Sequence, residues 1–377
     1  MTEQIIIIGS GFAARQLVAN IRRQDKQVPI MLVAADSGNQ YNKPDLSHVF
    51  SLKQSADDLT QMSAEQFAQE NNLKLQVNTR VTAIDSQMKQ IRCGEQQFSY
   101  QKLILATGAQ AIVPSVPGRE YMVTFNSQQE YREHQAQLQT AQRILVLGGG
   151  LIGAELAMDL HRAGKQVTVI DRAHSLLASL MPAELSCRLQ HKLSQMGIRI
   201  LLNNELVSID KTDTELSVNL LDGHAVKTDA VIAAIGIQPN IALAATAGLK
   251  TGRGICVNRQ LQTSDENIYA LGDCAEIEGK VMPFLQPIQM SSLALAKNIL
   301  GATESVTFPP MLLKVKTPDL PLFLAGDTQR DDLNWELSLS SEGIAARGFD
   351  AMKKLRAFIV SEQHTPKAFM MLRELAN

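Results

Sequence analysis

Hydrophobic residues fall in short runs along the chain, and several of these runs end in glycine. Ile5-Ile6-Ile7-Ile8 is a β-branched run followed at once by Gly9-Ser10-Gly11-Phe12-Ala13-Ala14. Arg15 to Arg23 has a helix-like pattern, and Pro29 to Val33 is a second apolar run. The order predicts strand, glycine turn, helix and strand, as a βαβ unit requires. Gly9 allows the tight turn, Gly11 lets the backbone approach a pyrophosphate, and small Ala14 lets the helix pack closely on the strand. The helix N-terminus then offers unpaired N–H groups to phosphates.

The pattern recurs. Ile144 to Leu147 leads into Gly148-Gly149-Gly150-Leu151-Ile152-Gly153, with a predicted helix from Ala154 to Ala163 and Gly164 as its stop. Val167 to Ile170 then delivers Asp171, 23 residues after Gly148. An acid roughly 20 residues after such a turn suits ribose hydroxyls. Each turn also has a distant echo, an apolar run ending in glycine: Leu103 to Ala109, with Thr107 and Gly108, and Val231 to Ile237, with Gly236. Ligands of doubly wound sheets sit beyond the carboxyl ends of the strands, so these glycines point at cofactor crevices. Two crevices predict two dinucleotides, one of them a resident flavin. A further run, Ile268 to Leu271, ends in Gly272-Asp273. Asp273 either accepts from a polyol hydroxyl, closes a turn, or caps a helix expected to start near Ser291.

Composition narrows the class. The chain has 377 residues, 45% hydrophobic and 20% charged, which predicts two or three globular domains and excludes bulk disorder. Its 36 basic and 38 acidic residues give a net charge of −2, so no overall field favours nucleic acid. The longest charge-free stretch, Ala230 to Leu249, is broken by Gln238-Pro239-Asn240 and two glycines, so no membrane span is expected. The four cysteines, at 93, 187, 256 and 274, form no CxxC pair, and the histidines show no HxH, HxxxH or HExxH spacing, so no metal site is expected. Scattered thiols without an export signal predict a cytoplasmic protein.

Taken together, Gly9–Ala14, Tyr41-Asn42-Lys43-Pro44, Ala106-Thr107-Gly108, Gly148–Glu155, Leu271-Gly272-Asp273 and Val315-Lys316-Thr317-Pro318 resemble the FAD-dependent pyridine nucleotide–disulfide oxidoreductase superfamily, in its rubredoxin reductase branch. The match runs nearly end to end. More narrowly, Gly9 to Gln16, Tyr41 to His48 and Asn126 to Tyr131 look like reductases that serve flavorubredoxin. The resemblance implies an α/β protein with two nested Rossmann-like dinucleotide-binding domains and a small α+β C-terminal domain. FAD would bind residues 1–109 with 237–305, NADH would bind 110–236, and 306–377 would form the C-terminal domain.

Position by position, the resemblance implies that Gly9, Ser10, Gly11, Phe12 and Ala13 hold the FAD pyrophosphate, and that Ala34 and Ala35 touch the adenosine ribose through backbone. Thr107, Gly108 and Asp273 join the flavin side, while Gly148, Gly150, Gly153, Asp171 and Gly236 serve NAD. The ribose acid expected at the end of the second strand is absent. Asp36, 27 residues after Gly9, either takes that role or starts the next loop. Val81 either contacts adenine through backbone or packs in a strand. Leu285 and Lys316 match contacts to the flavin ring; Lys316 is otherwise a snorkelling surface residue. Lys43 and Glu155 are implied beside the isoalloxazine, the carboxylate at a helix start needing a cation and the lysine favouring negative charge on reduced flavin. Otherwise they are a solvated helix-start acid and a loop lysine.

The redox cysteine of disulfide reductases is missing from Tyr41 to Phe50, which predicts an external acceptor. The resemblance therefore implies an enzyme carrying electrons from NADH, through non-covalently bound FAD, to flavorubredoxin or a rubredoxin in support of nitric oxide reduction. Alternatives are a ferredoxin reductase component of an oxygenase, a general NADH oxidase, or a non-enzymatic dinucleotide-sensing regulator.

Overall fold

The computed structural model describes residues 4–315, 317 and 320–376. The chain divides into two compact units. The first comprises Met1–Lys43, Asp57–Gln110 and Ile237–Phe308; the second comprises Pro44–Ala56, Ala111–Gly236 and Pro309–Asn377.

In the first unit a five-stranded parallel sheet has the order Ile268–Ala270, Lys102–Leu105, Ile5–Ile8, Ile30–Val33, Lys74–Gln76. Ile5 to Ile8 are all buried, as strands covered on both faces should be. The helix Phe12–Gln24 follows the first strand and packs on the helix Leu285–Ile299, where buried Asn20 donates to the Ser292 hydroxyl at 3.0 Å. A small antiparallel sheet, Ala83–Asp85, Gln90–Cys93 and Gln96–Ser99, completes the unit's crossover.

The second unit repeats the parallel plan in the order Met122–Thr124, Ala230–Ala233, Arg143–Leu147, Gln166–Ile170, Arg199–Leu201. In both sheets the strand that enters a glycine turn is central, flanked by the strand after its helix and by the echo strand. Beyond residue 309 the chain builds an antiparallel sheet ordered Leu313–Val315, Leu322–Gly326, Leu355–Ser361, Gly343–Phe349, Asn334–Ser340. The helix Ala368–Ala376 packs on this sheet through Ala368 and Met371. Among the described residues, no helix is long and apolar enough to cross a membrane.

Three local expectations change. Both turn helices start earlier than their patterns suggest, at Phe12 and Leu151, because Gly11 and Gly150 act as N-caps and let the helix begin directly after the turn. The helix expected near Ser291 starts at Leu285, since Pro287 sits within its first turn, where a missing N–H costs nothing. Val81 lies in the loop before the strand Ala83–Asp85, so its strand-packing alternative fails, although its side chain is partly buried against the core.

Candidate active site

The five parallel strands of the first unit's sheet end on one side, and four of them lead into a residue of interest. Gly9 has φ +119°, and a Cβ there would lie 2.2 Å from the Ala106 carbonyl oxygen, so only glycine lets the first strand pass the echo strand. Gly11 caps the helix Phe12–Gln24 with no side chain bonded to the helix N–H groups, and a Cβ on it would meet no protein atom within 4 Å. That open space above unpaired N–H groups fits a dinucleotide pyrophosphate. Ser10 donates to Asp36 Oδ1 at 2.8 Å, and the same oxygen accepts the Gly38 N–H at 3.0 Å.

Arg15 locks this loop from below. Its Nε donates to the Ser10 carbonyl at 2.9 Å, a second guanidinium nitrogen donates to the Gly38 carbonyl, and the group lies 4.3 Å over the Phe67 ring. Burial pulls the guanidinium down to about 10, with the Asp36 charge opposing. Ala34 is buried, its N–H donating to Gln76 and its carbonyl accepting from Thr79, whereas Ala35 and Asp36 are exposed. Backbone contact with a ligand is therefore more open at Ala35 than at Ala34.

Thr107 and Gly108 meet the returning chain at Asn240. The Thr107 hydroxyl donates to the Asn240 carbonyl at 2.9 Å, Asn240 Nδ2 donates to the Thr107 carbonyl at 2.8 Å, and the Asn240 N–H donates to Gly108 at 3.0 Å. Asp273 lies in the turn that the Ala275 N–H closes on the Gly272 carbonyl; it does not cap the Leu285–Ile299 helix, whose N-cap is Phe284. A Cβ on Gly272, at φ +86°, would sit 2.7 Å from Ala13 Cβ, so this turn packs directly against the start of the Phe12–Gln24 helix. Burial pushes the Asp273 carboxyl up, and Lys43, 3.9 Å away, pulls it down. Leu285 and Phe284 are exposed at the head of their helix. Lys316 lies outside the described residues.

In the second unit Gly148 repeats the close approach: at φ +113°, a Cβ would lie 2.4 Å from the Ala234 carbonyl oxygen. Gly150 caps the helix Leu151–Arg162 and is open, while a Cβ on Gly153 would fall 1.9 Å from the Gly148 carbonyl oxygen. Asp171 holds the turn directly, Oδ2 accepting the Gly149 N–H at 2.5 Å and Oδ1 the Ala173 N–H at 2.7 Å. Gly236 is exposed at φ +117° and its carbonyl accepts from Ile112 at 3.0 Å. Glu155 is only 5% exposed, and the buried Ser47 hydroxyl lies 3.1 Å from its Oε2.

Sequence reasoning missed Arg15, Ser47, Ser51, Asp159 and Asn240. Arg15 carries a legible signal, a basic residue among the buried positions at the start of the turn-helix. Ser47 and Ser51 share the four-residue spacing of Glu155 and Asp159, a pattern visible only once the two segments are known to meet. Cys274 is fully buried, its thiol donating to the Leu105 and Leu271 carbonyls, and burial pushes its ionisation up. It packs; it is not placed as a nucleophile.

The family model for pyridine nucleotide-disulphide oxidoreductases matches residues 3–298. The chain belongs to the pyridine nucleotide-disulphide oxidoreductase family. A second model, the rubredoxin binding C-terminal domain, matches residues 305–375 of this oxidoreductase. The chain is 55% identical to a nitric oxide reductase FlRd-NAD(+) reductase of Pectobacterium atrosepticum, over 376 residues that cover 100% of this chain and 99% of that protein. It is 56% identical over 375 residues, covering both chains fully, to the protein of the same name in Shigella dysenteriae serotype 1. Among solved structures, a ferredoxin reductase from Rhodopseudomonas palustris superposes with TM-score 0.88 at 25% identity, covering 98% of this chain and 93% of that one. Putidaredoxin reductase in covalent complex with putidaredoxin gives TM-score 0.89 at 23% identity, covering 99% and 93%, a likeness of fold.

Proposed function

We propose that this oxidoreductase takes electrons from NADH and passes them through non-covalently bound FAD to flavorubredoxin, or to a rubredoxin, in support of nitric oxide reduction. One observation carries the reading. A single chain joins an oxidoreductase body with two dinucleotide turns to a C-terminal segment of the rubredoxin-binding class, and it does so with 55–56% identity, end to end, to FlRd-NAD(+) reductases.

Bound FAD supplies the exchange between a two-electron hydride donor and carriers that take one electron at a time. The chain's own residues do the rest. Gly9, Gly11 and the N–H groups at Phe12 and Ala13 receive the pyrophosphate, and Arg15 with Asp36 keeps Ser10 and the turn in shape. Ala35 contacts the adenosine side through backbone, Val81 lies on the same path, and Asp273 accepts from a polyol hydroxyl. Lys43 carries positive charge beside Asp273 and favours electron density on the ring, which Leu285 borders. In the second unit Gly148 and Gly153 let the turn, the echo strand and the helix approach closely, Gly150 and Gly236 leave room for NADH, and Asp171 accepts from its ribose while repelling a 2′-phosphate. Glu155 faces the nicotinamide.

Four unpaired cysteines and the absence of a redox cysteine between Tyr41 and Phe50 support an external acceptor and a reducing, cytoplasmic setting. Steady-state turnover with NADH and purified flavorubredoxin, rubredoxin or [2Fe–2S] ferredoxin tests the reading. Flavorubredoxin should give the highest specificity constant, and added salt should lower it while leaving flavin reduction by NADH nearly unchanged. A clear preference for ferredoxin would replace this function with service to an oxygenase.

A further inference from the structure

The helix Leu151–Arg162 carries two buried carboxylates one turn apart, Glu155 and Asp159. The segment Pro44–Ala56 of the same unit carries three serines at the same spacing, of which Ser47 and Ser51 face these acids. The two pairs meet in register. Ser47 Oγ lies 3.1 Å from Glu155 Oε2, and Ser51 Oγ donates to Asp159 Oδ1. Asp159 also accepts the Phe50 N–H at 2.9 Å and the Ser51 N–H at 3.3 Å. A carboxylate that is 2% exposed and takes three donors from two adjacent residues fixes their backbone, because breaking any of these bonds leaves a buried charge undersatisfied.

The far end of the segment is tied as firmly. Tyr131 donates to the Gln54 carbonyl at 2.7 Å, Gln128 donates to Ala56 at 2.6 Å, and Gln135 accepts the Ala56 N–H at 2.8 Å. Phe50 stacks on Phe125 with ring centroids 5.6 Å apart. Ser47 is therefore held from one side by its own segment, and its hydroxyl lies equally far, 3.1 Å, from the Pro44 carbonyl and from Glu155. With a single proton to give, it favours the carboxylate, since bonds to a charged acceptor are the stronger.

We infer that Ser47 and Asp159 are positioning residues for Glu155. Asp159 anchors Phe50 and Ser51, the anchored segment places the Ser47 hydroxyl, and that hydroxyl aims the Glu155 carboxylate for the hydride step. The inference rests on the reading that Glu155 faces the nicotinamide, and the variants separate the two ideas.

The measurement is anaerobic stopped-flow reduction of the FAD-loaded protein by NADH, with the limiting rate and the half-saturating NADH concentration read separately. Ser47→Ala should keep its flavin, keep the half-saturating NADH within about twofold, and lower the limiting rate about tenfold. Ser47→Thr keeps the hydroxyl and should recover most of the rate. In the Glu155→Gln background, Ser47→Ala should add no further loss, because residues acting through one group do not combine multiplicatively. Ser51→Ala removes one of the three donors to Asp159, leaves it the Phe50 and Ser51 N–H groups, and should give a smaller loss that also vanishes in that background. A wild-type rate in Ser47→Ala, or serine losses that persist undiminished beside Glu155→Gln, overturns the inference. A wild-type rate in Glu155→Gln itself overturns the role of Glu155 instead.

Discussion

The two glycine turns are built to one plan but gripped differently. In each, the first glycine passes under the carbonyl at the end of an echo strand, Ala106 in one case and Ala234 in the other. In each, an acid reaches the middle residue of the Gly-x-Gly triplet. Asp171 takes the Gly149 N–H itself, and a Cβ on Gly149 would lie 2.5 Å from Leu176 Cδ2, so a larger residue at this middle position would require the Leu176 side chain to shift. In the first turn the middle residue is Ser10, and Asp36 takes its hydroxyl from farther along the chain. The first turn also gains Arg15, which binds the Ser10 carbonyl. The third position differs too. Gly153 is forced by the Gly148 carbonyl, whereas Ala14 fits fully buried in the first turn. On the proposed assignment the side-chain network belongs to the turn that keeps FAD, and the backbone turn with one carboxylate to the turn that receives NADH.

The sharpest way to break this comparison separates fold from ligand within one turn. Gly9→Ala forces a Cβ into the Ala106 carbonyl at an unfavourable φ and should cost about 3 kcal/mol or more in chemical denaturation. A Cβ at Gly11 would have no protein atom within 4 Å, so Gly11→Val should fold and yet be isolated without FAD, as the ratio of flavin to protein absorbance reports. Full flavin occupancy in Gly11→Val would remove the first turn from the cofactor site.

A smaller effect should appear at the second turn. Asp171→Asn keeps an oxygen for the Gly149 N–H but loses its charge, so the preference for NADH over NADPH, as a ratio of specificity constants, should fall about tenfold. An unchanged ratio would leave Asp171 a purely structural acid.

Asp273 gives a pH test. Its folded carboxyl is held above the ordinary value by burial, so the folded state binds its proton more tightly and loses stability as pH rises through that raised value. Asp273→Asn should therefore make the apoprotein more stable near neutrality, by about 1 kcal/mol, with the gap closing as pH falls toward the ordinary carboxylate range. A gap that widens in acid would mean that the Lys43 ion pair outweighs burial. The smallest change is expected from the thiols. Replacing all four cysteines should leave NADH-driven turnover intact, the only cost being some stability at the buried Cys93 and Cys274.

Much of this architecture is written locally. Four isoleucines, a Gly-x-Gly turn and a helix-forming run are contiguous, and their backbone demands hold whatever the rest of the chain does. That is why both βαβ units, the echo strands ending at Gly108 and Gly236, and the acid at 171 can be read along the sequence. The pattern places the two turn helices a few residues late, because a glycine N-cap leaves no side-chain signature to mark it.

What the sequence could not decide depends on residues brought together from far apart. Pro44–Ala56 belongs with the second unit because Asp159, Tyr131 and Gln128 satisfy its backbone and side chains, and those partners lie about 70 to 110 positions downstream. Asn240 joins Thr107 across a still greater separation, 133 positions, and Gly272 is needed because Ala13 stands against it. Local propensity and spacing determined the two dinucleotide turns. Only tertiary structure decided which buried polar groups satisfy one another, since the cost of leaving them unpaired arises only when the chain has folded and excluded water.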